Sequence, residues 1–333
     1  MAKEIRDDTQ TTRSSDENQK EQRKKRLRKR VIVTVTLVVV GFFVANMAAT
    51  EVIIFFLFGR ADPVLDQPFD ILDWADEKNC SVASFEFMSG DNGLKGYYIL
   101  PEDPAALILL VHGVGGSSDD LEPLVPFFVE NSYAVMTFDG TASGRSEGSK
   151  TVGLQQQRYD IQAAVSVIQN DPQTASLDLV LLGHSAGAYG VAVEAEQYGA
   201  AAAVCVSGYE SPLAMMRFRA EQYVGPLTNI AYPFLWLREH AVKGNDADES
   251  GSEALSNSKV PSMVIHGTDD GTVPLDISIY QAISEKNAGN VRQVLVTDPG
   301  FNGHGNILIS DTGLNYDLLD DIMLFLDPLV NRQ

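Results

Sequence analysis

The stretch that most constrains the fold is residues 178–190, DLVLLGHSAGAYG, where an apolar run of strand type meets Gly183-His184-Ser185-Ala186-Gly187 and then small residues able to start a helix. A serine between two such glycines sits on a tight strand-to-helix bend that lifts its hydroxyl off the end of a sheet, and a Cβ at either glycine would meet neighbouring backbone. The pattern alone also fits a plain glycine-rich loop. Its surroundings decide between the two.

Those surroundings alternate. Residues 106–112, ALILLVH, form a continuous apolar run of the kind buried on both faces of a parallel sheet. Further strand-like runs lie at 134–139, 201–207, 260–266 and 291–296, with helical spacing at 119–130, 154–170, 276–286 and 316–330. Alternation of this sort implies right-handed crossovers and a mostly parallel sheet with helices on both faces. Residues 81–100 read as a leading β-hairpin around Gly90-Asp91-Asn92-Gly93. Residues 208–259 break the rhythm with an aromatic and methionine-rich stretch too long for a simple connection. An inserted helical cap over Ser185 is expected there, against the plainer reading of two surface helices.

The N-terminus follows other rules. Residues 1–23 are polar and carry too little apolar surface to offset the entropy of ordering, and residues 24–30, KKRLRKR, add a basic cluster. Residues 31–49 are then uncharged, about 28 Å as a helix and close to the ~30 Å of bilayer hydrocarbon. The organisation expected is a disordered basic tail (1–30), a transmembrane helix (31–58), a linker (59–80) and an α/β domain (81–333). Six basic residues precede the span, while Arg60 with Asp62, Asp66, Asp70 and Asp73 follows it. By the positive-inside rule the tail is cytoplasmic and the domain extracytoplasmic, in a single-pass protein of the cell membrane.

Charge excludes one class of partner. The first 30 residues hold 11 Lys/Arg and 6 Asp/Glu, which leaves 14 basic and 39 acidic residues for the rest. So acidic a body repels a phosphate backbone, and nucleic acid is not expected. Cys80 and Cys205 are far apart with no C-x-x-C, so neither a disulfide framework nor a zinc site is indicated. Two such cysteines are compatible with the outer face of a bacterial cell.

Five histidines narrow the choice of a base for Ser185. His112 and His266 end strands in His-Gly pairs, His184 lies inside the bend, and His240 falls in the cap. His304 remains, in the glycine-flanked loop Asn302-Gly303-His304-Gly305-Asn306 after the last strand. For an acid, Asp269 and Asp270 follow the strand at 260–266, and Glu210 follows the strand at 201–207. The order serine, acid, histidine is the one a strand–turn–helix nucleophile requires.

Taken together, His112-Gly113, Asp139-Gly140-Thr141-Ala142-Ser143-Gly144-Arg145-Ser146, the Ser185 bend, His266-Gly267-Thr268-Asp269-Asp270-Gly271-Thr272-Val273-Pro274 and the late His304 resemble the α/β-hydrolase family over residues 81–330. The resemblance implies Asp270 as the acid, with Asp269 the near miss and Glu210 the third candidate. It implies backbone oxyanion donors at Val114 and Ala186, and no metal or organic cofactor. Ala142 departs from the family, which often has glycine there. The activity implied is cleavage of an ester or amide of a small molecule or peptide through an acyl-enzyme. The apolar cap favours an esterase or lipase-like reading. Glu210, Glu221 and Glu239 leave room for a serine aminopeptidase that reads a free amine. A non-catalytic, membrane-tethered binding module on the same fold is the competing reading from another class.

Overall fold

The computed structural model describes residues 4–60, 74, 75, 78, 80–286 and 288–330, with side chains described from Gln19 onward. The expected linker therefore lies largely outside the described residues, as do Asp62, Asp66, Asp70 and Asp73. The chain divides into two units, Met1–Ile53 and Ile54–Gln333.

The first unit is helical. Helix α1 (Glu4–Leu57) contains a segment, Gln19–Leu57, long and apolar enough to cross a membrane by length and composition. The tail expected to be disordered thus carries helical backbone from Glu4. The physical reason is that extending a helix costs far less than nucleating one, and this tail is rich in Glu, Gln, Lys and Arg, all good helix formers. A Glu21–Lys25 pair one turn apart, at 2.9 Å, adds a little.

The second unit is built on an eight-stranded sheet in the order β1-β2-β4-β3-β5-β6-β7-β8. Its strands are β1 (Ser81–Ser89), β2 (Asn92–Leu100), β3 (Ala106–Val111), β4 (Tyr133–Phe138), β5 (Leu179–His184), β6 (Ala202–Val206), β7 (Ser262–Gly267) and β8 (Val291–Val296). β1 pairs antiparallel with β2 and β2 with β4, and every later pairing is parallel. All six residues of β3 are buried, because alternate side chains enter two different cores.

One core joins Ile108, Leu110, Val135, Val180 and Ile265 to α2 (Leu124–Glu130) and to the closing helix. The other joins Leu107, Leu109, Met136, Leu181 and Cys205 to α3 (Gln156–Asn170), α4 (Ala186–Glu194) and later helices. Each fully buried Leu, Ile or Val contributes about 1.5–3 kcal/mol relative to exposure. The helix expected over 119–130 is split into a short turn, Ser118–Leu121, and α2. Pro123, which cannot donate a helical hydrogen bond, stands at the break.

Residues 208–259 form α5 (Pro212–Val224), α6 (Thr228–Lys243) and α7 (Gly251–Asn257). Ser211 caps α5 by accepting from Ala214 N at 3.2 Å, with Pro212 at the first helical position. The segment is tied down by charge: Arg158 on α3 pairs with the buried Glu194 on α4 and with Glu249. The chain closes with α8 (Ile279–Lys286), α9 (Tyr316–Leu326) and a two-residue ribbon, β9 (Ile309–Ser310) with β10 (Gly313–Leu314), for which the sequence carries no clear signal.

The first residues of this unit are firmly seated. Ile54 and Phe58 are buried against Met216 of α5, with Leu154 and Leu235 of α6 beside them. Arg60, read from sequence as a lone basic residue after the span, donates from its guanidinium to the carbonyls of Gly144 and Ser146 at 2.8 Å and Gly148 at 3.1 Å. It is therefore a clamp on the loop after β4.

Candidate active site

Ser185 sits between β5 and α4 at φ 58°, ψ −116°, a strained backbone conformation for a non-glycine residue. Neighbouring backbone enforces it. A Cβ on Gly183 would lie 2.3 Å from the Gly187 carbonyl, and one on Gly187 would lie 2.3 Å from the carbonyl oxygen of Val111. The Ser185 N–H donates to Val206 O at 2.9 Å, which pins the bend to β6.

His304 arrives from the loop after β8. Its Nε2 is 3.0 Å from Ser185 Oγ and its Nδ1 is 2.7 Å from Asp270 Oδ2. Asp270 is buried, and its Oδ1 accepts from the N–H groups of Thr272 at 3.0 Å and Val273 at 2.8 Å. Burial pushes this carboxyl up. The hydrogen bond and charge of His304, the Val273 N–H and the nearby His266 outweigh burial and hold it below the usual range. With Asp270 ionised, the proton of neutral His304 belongs on Nδ1, which leaves the Nε2 lone pair facing the serine hydroxyl.

The other histidines hold loops. His112 Nε2 accepts from Gly140 N at 2.9 Å, so its Nδ1 carries the proton and donates to Gly113 O at 2.7 Å. His266 donates from Nε2 to Val273 O at 2.9 Å and so braces the turn that presents Asp270. His184, set aside in the sequence reading, donates from Nε2 to the backbone carbonyl of His304 at 2.8 Å. Burial, and then the neighbouring His304, lower its pKa to about 4, so it stays neutral while it holds that loop. Only its place beside Ser185 hinted at this role, because the partner lies 120 residues away.

The loop after β3 runs beside the serine. Gly113 passes so close that a Cβ on it would lie 3.0 Å from Ser185 Cβ. Among the described residues, neither the Val114 nor the Ala186 N–H donates to an acceptor within the chain. The loop behind is built on Asp139, whose carboxylate accepts from Ser118 N at 2.8 Å, Ser118 Oγ at 2.6 Å and Arg145 N at 2.7 Å. Ala142 in that loop has φ 58°, which explains why glycine is common there.

Among the described residues, none of the other candidate carboxylates bonds to His304. Asp269 is exposed, and among the described residues only its N–H is bound, to Asn302 O at 2.9 Å. Glu210 accepts from the hydroxyls of Ser250 and Ser252 and the Ser252 N–H. Glu221 pairs with Arg217 at 3.1 Å, and Glu239 is buried between Arg238 at 2.6 Å and Lys243 at 2.5 Å.

Sheet order, antiparallel first strands and a serine on the bend after the fifth strand define the class: the chain has the α/β-hydrolase fold. A family model described as serine aminopeptidase, S33, matches residues 102–243. The chain is similar to the uncharacterized protein YqkD of Bacillus subtilis, at 28% identity over 59% of this chain and 65% of that one. It is also similar to a non-heme chloroperoxidase of Burkholderia pyrrocinia, at 26% identity over 66% of this chain and 92% of the relative. Among solved structures, an esterase of Pyrococcus furiosus superposes with a TM-score of 0.60 at 20% identity, over 81% of this chain and 98% of the esterase.

Proposed function

We propose that the protein is a serine hydrolase that cleaves an ester through an acyl-enzyme, with Ser185 as nucleophile, His304 as general base and acid, and Asp270 as the group that orients and stabilises the imidazole. The observation that carries the reading is the continuous hydrogen-bonded line Asp270–His304–Ser185, at 2.7 and 3.0 Å. As Ser185 Oγ attacks the carbonyl carbon, its proton passes to His304 Nε2 and the carbonyl oxygen becomes an oxyanion. Collapse expels the alcohol, which takes the proton back from Nε2. Water then attacks the acyl-enzyme by the same proton path and releases the acid. Free N–H groups at Val114 and Ala186 stabilise the oxyanion, each worth about 3 kcal/mol in comparable sites. No step calls for a metal or an organic cofactor.

The esterase reading is favoured over the aminopeptidase one because Glu210 and Glu239 are held by partners inside the protein, which leaves only the surface pair of Glu221 with Arg217 among the three. In this reading residues 208–259 cap the site, and α1 anchors the protein once in a bacterial cell membrane, with the basic tail cytoplasmic and the hydrolase body outside. Labelling with a serine-directed fluorophosphonate, followed by a chain-length series of acyl esters against aminoacyl amides, tests the chemistry. Absence of labelling would leave a binding module, and a preference for aminoacyl amides would restore the aminopeptidase. Protease added to intact cells should remove the body and spare the tail, and a protected body would reverse the topology.

A further inference from the structure

Helix α6 buries charge and exposes much of its apolar surface. Its buried residues are Thr228, Arg238 and Glu239, with Arg238 9% and Glu239 1% exposed, while Ile230, Trp236, Leu237 and Val242 are exposed and Leu235 packs inward beside Met216. Ile230 is 51% exposed and Leu227, just before the helix, 61%. Tyr223 and Val224 at the end of α5 are exposed too, so the hairpin has an apolar tip, and Trp236 and Leu237 continue the exposed apolar surface further along α6, with the Trp236 ring 3.8 Å from that of His240. No charged residue occurs from 222 to 237. A surface helix in water should bury its apolar residues and expose its charges, so this arrangement demands an apolar environment outside the protein.

We propose that the tip of the α5–α6 hairpin inserts into the interfacial layer of a lipid bilayer. Two features choose a bilayer over another protein. The helices that carry the tip receive Ile54 and Phe58, through Met216 and Leu235, and Ile54 belongs to the segment Gln19–Leu57 that is long and apolar enough to cross a membrane. The composition is also that of an interfacial element: aromatic Tyr223 and Trp236 among aliphatic residues, with Arg217 and Arg219 one to two turns behind on α5. Insertion brings the cap to the lipid surface, where a substrate with an acyl chain resides.

Tryptophan fluorescence of the full chain in vesicles tests this without reference to catalysis. The chain has two tryptophans, so Trp74→Phe leaves Trp236 as the sole reporter. In phosphatidylcholine vesicles its emission should shift to the blue, resist aqueous iodide and be quenched by lipids brominated near the top of the acyl chain. Leu227→Glu with Ile230→Glu should remove most of that quenching while fluorophosphonate labelling in detergent persists. Iodide quenching in vesicles without bromolipid quenching would overturn the proposal. So would shielding of Trp236 that depends on protein density in the bilayer, since a second copy would then cover the tip. If labelling fails but bromolipid quenching is seen, the hydrolase reading falls and insertion stands.

Discussion

Replacing Asp270 by asparagine changes one atom and should disable the base while leaving the architecture intact. In the native site Oδ1 accepts from the Thr272 and Val273 N–H groups at 3.0 and 2.8 Å, and Oδ2 faces His304 Nδ1 at 2.7 Å. The asparagine oxygen is bound to stay with the two N–H groups, so the amide nitrogen must take the position facing the ring. That nitrogen donates to Nδ1 and moves the ring proton to Nε2, which then donates to Ser185 Oγ instead of accepting from it. The base is lost at unchanged distances. By analogy with other triads the rate should fall about 10⁴-fold, or roughly 5.5 kcal/mol of barrier. Asp269→Asn, at an exposed carboxylate, and Glu210→Gln, within the serine cluster, should each stay within about threefold of the parent. The assay is steady-state hydrolysis of p-nitrophenyl acetate together with the rate of fluorophosphonate labelling. Asp270→Asn with more than about a tenth of parental activity, or Asp269→Asn as the worse lesion, would refute the reasoning.

Ser185→Ala and His304→Ala should each cost about 10³-fold or more, and the double variant little more than either, which a double-mutant cycle in the same assay measures. Ala142→Gly should change stability in urea unfolding by less than about 1 kcal/mol, because relief of the left-handed strain at φ 58° is offset by glycine's unfolded-state entropy and by loss of a buried methyl group. His184→Gln should flatten the acid limb of the stability curve. The folded pKa of about 4 lies below the usual 6.5, so between those values the unfolded chain takes up a proton that the folded one refuses, and stability is lost as pH falls, by at most about 3 kcal/mol. Asp270 acts in the same direction lower down: its depressed pKa gives stability present above the ordinary carboxylate range and lost as pH falls through the folded value. The stability difference between the parent and Asp270→Asn should therefore shrink in acid, which urea titrations at several pH values check.

Local sequence determined the parts of this protein that obey local rules. The Ser185 bend is legible because close backbone packing admits only glycine at 183 and 187, and the strands are legible because burial on two faces requires continuous apolar runs. The apolar helix is legible because its uncharged run is about as long as bilayer hydrocarbon is thick. Tertiary structure decided whatever depends on direction and distant partners. Asp269 and Asp270 are indistinguishable in composition, and only the end of β7 turns Asp270 inward to His304 and leaves Asp269 in solvent. Arg60 reads as a flanking charge until three carbonyls of the loop at 144–148 close around it, and His184 reads as filler until the His304 backbone folds over it. The same holds for α6: Arg238, Glu239 and Lys243 pair with one another in the interior, and which of its faces turns outward is set by those partners, a fact that no window of sequence contains.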